Sequence, residues 1–168
     1  MKRALCLLLF ACCLVSLCGC SVSASGGEDS VAFYYRRADF QYHGAENVIV
    51  PEQRDISGHR GELQYLIALY LLGPLDDSLV LPFPKGTRLL ELEASGEHLQ
   101  LTLSDKAEAL SDSAFTLAST CLSLACLSIS EAEEVTIICA ERSITIRDDN
   151  LLLTDDVGLL PDTTEEST

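Results

Sequence analysis

Positive charge is scarce in this 168-residue chain: 11 Lys and Arg stand against 26 Asp and Glu, a net of −15. Such a chain is repelled by nucleic acid and by anionic lipid head groups, which argues against nucleic-acid binding and against electrostatic adsorption to a membrane. Histidine is scarce as well. His43, His59 and His98 lie far apart, and none has a second His or Cys at i+3 or i+4, so no zinc site is expected. No Ser occupies a nucleophile elbow, and no Gly-rich phosphate loop is present. The pairs Asp148-Asp149, Asp155-Asp156 and Glu165-Glu166 lack the alternating oxygen ligands of a calcium loop and read as solvated acid. No internal repeat is visible. With no catalytic set, no metal and no cofactor in prospect, the expectation is a protein that is not an enzyme.

What the chain does have begins at its first residues. Met1-Lys2-Arg3 is basic, and residues 4–17 are apolar without a charge, the layout of a secretory signal. The run is short for a membrane span, which needs about 20 apolar residues. Its end, Leu17-Cys18-Gly19-Cys20, resembles the lipobox of bacterial lipoproteins. There an aliphatic residue stands three before the cleavage point and a small residue just before a Cys that becomes diacylglycerol-modified. The resemblance implies cleavage between Gly19 and Cys20, with lipid attached to Cys20 and the remainder held on the extracytoplasmic face of the cell membrane. Cys18 departs from the usual Ala, Ser or Thr. The alternative is an ordinary secretory signal that is rich in Cys. Two acyl chains would anchor durably, since each buried methylene contributes about 0.8 kcal/mol.

Removing the signal changes two counts. Lys2 and Arg3 leave with it, so 9 basic residues face 26 acidic ones, a net of −17. Of the cysteines, Cys20, Cys121, Cys126 and Cys139 remain, and lipid on Cys20 leaves an odd number of thiols. Cys121 and Cys126, five apart in a helical pattern, project roughly 140° from each other. They are expected as small core residues, with a Cys139 bridge to one of them as the alternative.

Residues 20–30 read as lipid anchor and flexible tether, residues 31–147 as one domain, and residues 148–168 as an acidic, disordered tail. Val31-Ala32-Phe33-Tyr34-Tyr35 and Asn47-Val48-Ile49-Val50 are strand-prone, and Gly44 suits the connection between them. Pro51 ends the second strand or places it at an edge. A first helix, with Ser57 as a possible N-cap, carries Leu63, Leu66, Ile67, Tyr70 and Leu71 and stops at Gly73-Pro74. Leu89, Leu90, Leu92 and Ala94, then Leu99, Leu101 and Leu103, form a hairpin through Ser95-Gly96-Glu97. A second helix starts at Ser111 or Asp112 and runs through Phe115, Leu117, Ala118, Cys121, Leu122, Ala125 and Leu127. Val135 to Cys139 and Ser143 to Ile146 close the order strand–strand–helix–strand–strand–helix–strand–strand. The fold class expected is α/β (α+β), a small mixed sheet with two helices packed on it.

Leu71-Leu72-Gly73-Pro74, Leu81-Pro82, Pro84-Lys85-Gly86-Thr87-Arg88-Leu89-Leu90 and Leu101-Thr102-Leu103-Ser104, with Val50-Pro51-Glu52-Gln53-Arg54 upstream, resemble the sporulation and spore-germination (GerMN) domain. The resemblance spans residues 31–146 and implies a unit similar to the ring-building modules of secretion machines. Members are commonly lipoproteins, and in sporulating Firmicutes some help assemble a channel complex between mother cell and forespore. Many carry two copies, whereas this chain has room for one. Residues 128–134 also lack the expected Pro-Gly turn. The signature consists of turn and cap residues, so it describes a fold and no active site.

Both helices are poor in charge: residues 63–75 and residues 113–130 contain none. A helix on a small sheet normally shows a charged outer face. For the second helix a membrane span, cover by the chain's own tail or loops, and a protein interface all fit the pattern. The interface is preferred, because interface centres are depleted in charge. Thr116, Ser119, Thr120 and Ser123 are its candidate residues. The function expected is a lipid-anchored scaffold or assembly factor of an envelope complex, contacting a protein partner or a second copy through helix faces. The alternative is a surface lipoprotein that binds a small solute or wall fragment, which would need a concave pocket with convergent polar groups.

Overall fold

Alternating burial along β1 (Ser30–Arg37) places Phe33 and Tyr35 fully inside, which fixes the register of the whole first sheet. A computed structural model describes residues 30–39 and 48–150. The signal segment with Gly19 and Cys20, the tether up to residue 29, His43, Gly44 and the tail from residue 151 lie outside the described residues.

β1 pairs antiparallel with β2 (Ile49–Asp55) and with the two-residue β3 (Leu79–Val80), in the order β2-β1-β3. Pro51 lies within β2, opposite Tyr34. The strand therefore continues through it, as an edge strand can, since only the inner side must hydrogen-bond. The second sheet contains β4 (Leu89–Ser95), β5 (His98–Leu103), β6 (Glu134–Cys139) and β7 (Arg142–Arg147), in that order. Its central pair, β5 and β6, is parallel. The crossover between them carries α2 (Asp112–Ile129); α1 (Leu63–Leu71) precedes β3. The fold is α+β, with both helices and the strand order in place. The strands divide into two sheets, where the sequence suggested one.

α2 contacts both sheets, lying against β1 on one side and against β6 and β7 in the other sheet. Residues 121–126 are all buried. Six consecutive helical residues sweep through more than a full turn, so this part of α2 is covered all round. That accounts for its lack of charge, because a helix apolar on every side is a core helix. Asp112–Ile129 is long and apolar enough to cross a membrane, yet half of it is buried within the fold.

Two helix starts differ in quality. Ser111 caps α2, its Oγ accepting from the Ala114 amide at 3.3 Å. Ser57 does not cap α1: it donates to Asp55 and sits in the turn after β2, while α1 begins six residues later, after Glu62. The loop contains Gly58 and Gly61 in left-handed conformations, which break the helical pattern before Leu63.

Candidate functional site

Among the described residues, the exposed large apolar side chains lie on and just after α1 and at the start of β4. Leu66, Ile67, Tyr70 and Leu71 point into the core, as their spacing predicts. Gln64, Ala68 and Leu72, four apart, share the opposite side and are exposed. Leu72 is 83% exposed and Leu75, just past the helix, 77%. Leu90 joins them at 60%. Its exposure has a backbone cause: the β4–β5 register shifts between Leu89 and Glu91, and such a bulge re-aims one side chain.

Between α1 and the start of β4 runs a groove of about 490 Å³, with Ala68, Leu71, Leu72 and Leu89 on its walls and Lys85 and Arg88 at its rim. Both walls are fixed by hydrogen bonds. On the helix side, Arg54, buried in β2, donates from Nη2 to the Gly73 carbonyl at 2.7 Å and from Nε to Glu52 Oε1 at 2.7 Å. Glu52 in turn accepts from the Leu75 amide at 3.0 Å. The Gly73 carbonyl, two residues past the end of α1, thus meets a cation. On the β4 side, the buried Thr87 bonds through its amide and its Oγ1 to the Pro84 carbonyl, at 3.0 and 2.8 Å. Arg88 and Ser104 exchange two further bonds, so the turn is tied to the end of β5.

The cations here have no carboxylate partners. Arg37, Arg54, Arg142 and Arg147 each pair with an acid. Among the described residues Lys85, Arg88 and Lys106 do not, and the Lys106 ammonium lies directly over Gly86. Three unpaired cations therefore surround one turn of a strongly acidic chain. Beside them, β4 is the end strand of its sheet, and its outer edge has no strand partner among the described residues.

The residues chosen on α2 divide. Ser119 is 0% and Ser123 1% exposed, so both face the interior; Thr116 is exposed and Thr120 half-buried. Thr116 and Thr120 donate to carbonyls one turn earlier, at 2.9 Å each. The four do not form one open stripe, and Ser119 and Ser123 are corrected to internal positions, because the two sheets cover α2. The absence of charge extends to α1, and there the face is open. Reading it correctly required knowing which helix lies between the sheets.

The remaining chemistry is sparse. His59 stacks on Tyr65 with ring centroids 4.1 Å apart and meets Glu62 at 3.2 Å. His98 meets Thr136 Oγ1 at 2.9 Å on the outer face of the second sheet. Near it a polar cleft of about 530 Å³ is lined by Glu97, Glu133, Glu134, Arg147 and Asp148, with Arg147 bonded to Glu134. Among the described residues no group of three or more His, Cys, Asp or Glu could hold a metal ion. Cys121, Cys126 and Cys139 are free and buried, so no bridge links Cys139 to the helix. Burial pushes the Cys121 and Cys126 thiols up to about 12 and raises that of Cys139.

No protein-family model matches the chain, and no curated protein matches it. Among solved structures it is similar to one described as a candidate lipoprotein from Clostridium perfringens, at 17% identity. The match covers 71% of this chain and 87% of that one with a TM-score of 0.45. A likeness of that degree carries nothing about function.

Proposed function

We propose that this protein is a lipid-anchored, extracytoplasmic assembly factor whose partner docks on the groove between α1 and β4. The observation that carries the reading is the pair of leucines, Leu72 and Leu75, held outward at the end of a charge-free helix by the Arg54–Glu52 contacts. A chain with so many carboxylates has ample means to cover that face with charge, and exposed apolar patches rimmed by polar groups are characteristic of binding surfaces. The Gly19–Cys20 lipobox supports the anchor, and the acidic net charge leaves lipid as the means of membrane contact. The motif resemblance supports an envelope complex of spore formation or germination as the setting.

The experiment has two arms. In the first, Cys20→Ser is expected to release the protein from the membrane fraction, and retention there would remove the anchor from the reading. In the second, crosslinking pull-downs from native membranes compare the natural protein with Leu72→Asp in vegetative and sporulating cells. A partner recovered only from sporulating cells, and lost with Leu72→Asp, supports both the surface and the setting. Recovery unaffected by Leu72→Asp rejects the groove; equal recovery in both cell states rejects the sporulation setting.

A further inference from the structure

We infer that the α1–β4 groove is also the docking site of this chain's own carboxyl-terminal segment, residues 151–168, with Leu159 and Leu160 on its apolar wall. The groove has two chemical requirements: aliphatic side chains for Ala68, Leu72 and Leu89, and carboxylates for Lys85, Arg88 and Lys106. The segment supplies both. It carries Leu159-Leu160 flanked by Asp155-Asp156 on one side and Asp162 and Glu165-Glu166 on the other, with no basic residue anywhere in it. Elsewhere in the fold Arg37, Arg54, Arg142 and Arg147 are engaged by nearby acids while Arg36 and Arg60 are not, so among the described residues three of the five unpaired cations gather at this turn.

The segment starts at the far corner of the second sheet. Arg147 pairs with Glu134, which pairs with His98, which pairs with Ser95, so β7 ends level with the opposite end of β4 from the groove. Three interstrand steps of ~4.8 Å across the sheet and ~20 Å along β4 separate the two points by roughly 25 Å. Leu159 stands nine residues beyond Asn150, a reach of ~30 Å when extended, and the following residues then fall beside the groove and the unpaired β4 edge. The aliphatic pair is thus placed at the distance the fold requires. The same cover shields a surface that a partner needs, so the segment acts as a competitor built into the chain. The contact itself needs no partner, whereas this competing role rests on the assembly reading above.

The test uses the full chain in its membrane, with Leu160→p-benzoylphenylalanine as a photocrosslinker and peptide mapping as the readout. Intramolecular crosslinks to α1 or to residues 85–89 are expected. They should be lost in K85E/R88E and kept in R60E, a charge reversal at an exposed residue that does not line the groove. Crosslinks that are absent, that map elsewhere, that join two chains only, or that survive K85E/R88E overturn the inference. Partner capture with Leu72→Asp separates it from the assembly reading. A crosslink present with capture unchanged leaves the tail contact standing and removes the partner face. No crosslink with Leu72-dependent capture does the reverse.

Discussion

Arg54 Nε and Glu52 Oε1 lie 2.7 Å apart on the same side of β2, and between them they hold the Gly73 carbonyl and the Leu75 amide just past α1. The pair is shielded, with side chains 8% and 11% exposed, and the Arg54 guanidinium stands 5.8 Å from the centre of the Phe33 ring. It joins two sequence stretches, Val50 to Arg54 and Leu71 to Pro74, that lie about twenty residues apart. Together they fix the backbone where the chain leaves α1, between Leu72 and Leu75.

Removing Arg54 strands Glu52 in a site built for a cation. Arg54→Ala is expected to cost about 3 kcal/mol, as for other shielded pairs broken from one side, and Arg54→Lys to recover only part because a single ammonium nitrogen replaces the two separate nitrogens that reach Glu52 and Gly73. Urea unfolding of the two variants measures this. A loss below about 1 kcal/mol for Arg54→Ala would place the pair among surface ion pairs and undo its role as a helix clamp.

Ser119 and Ser123 offer a sharper test of which face of α2 is internal. Their hydroxyls are buried and have no hydrogen-bond partner among the described residues. Alanine at either position should be neutral or stabilising by up to about 1 kcal/mol, since it removes a polar group that returns nothing. Ser119→Asp should unfold the protein, whereas Thr116→Asp, on the open side, should stay within about 0.5 kcal/mol of the natural chain. A folded Ser119→Asp protein with near-natural stability would restore Ser119 to an outer surface.

Much of the fold was legible because it rests on local pattern. Phe33 and Tyr35 alternate, Leu66, Ile67 and Tyr70 recur at helical spacing, Gly73-Pro74 stops α1, and Ser111 starts α2. The division into two sheets was not legible, since strand partners over long separations depend on packing and leave no mark on any single segment. The same gap misdirected the interface to Ser119 and Ser123. Absence of charge looks alike on a helix buried between sheets and on one open to a partner. The groove itself was half visible, in the charge-free stretch from residue 63 to 75. The bulge that turns Leu90 outward and the lysine over Gly86 come only from tertiary structure.

Gly86 tests the turn that forms one wall of the groove. Its φ of +85° is a left-handed conformation, and a Cβ there would stand 2.7 Å from Lys106 Nζ. The lysine end is flexible and can move away, so the cost of Gly86→Ala is mainly the backbone strain, about 1 kcal/mol. Combining it with Lys106→Ala should therefore leave that cost nearly unchanged. Full recovery in the double variant would show instead that the clash is decisive.

Alkaline pH should loosen the core in a defined window. Burial holds the Cys121 and Cys126 thiols near 12 against their ordinary 9.0, and burial likewise raises the Tyr35 and Tyr70 hydroxyls above 10.0. In the folded protein each keeps a proton that the unfolded chain releases at lower pH. Their contribution is therefore intact below pH 9 and is lost as pH rises from there through about 12, the thiols first and the tyrosines from about 10. Urea midpoints should thus begin to fall above pH 9, and the fall between 9 and 10 should be shallower in a Cys121→Ala, Cys126→Ala variant than in the natural protein. The same burial predicts that a thiol reagent at pH 8 modifies Cys121, Cys126 and Cys139 slowly in the native state and readily in urea. Equal slopes in the two proteins across that interval, or rapid native modification, would mean that α2 opens to solvent and that its cysteines are not the closed core residues placed here.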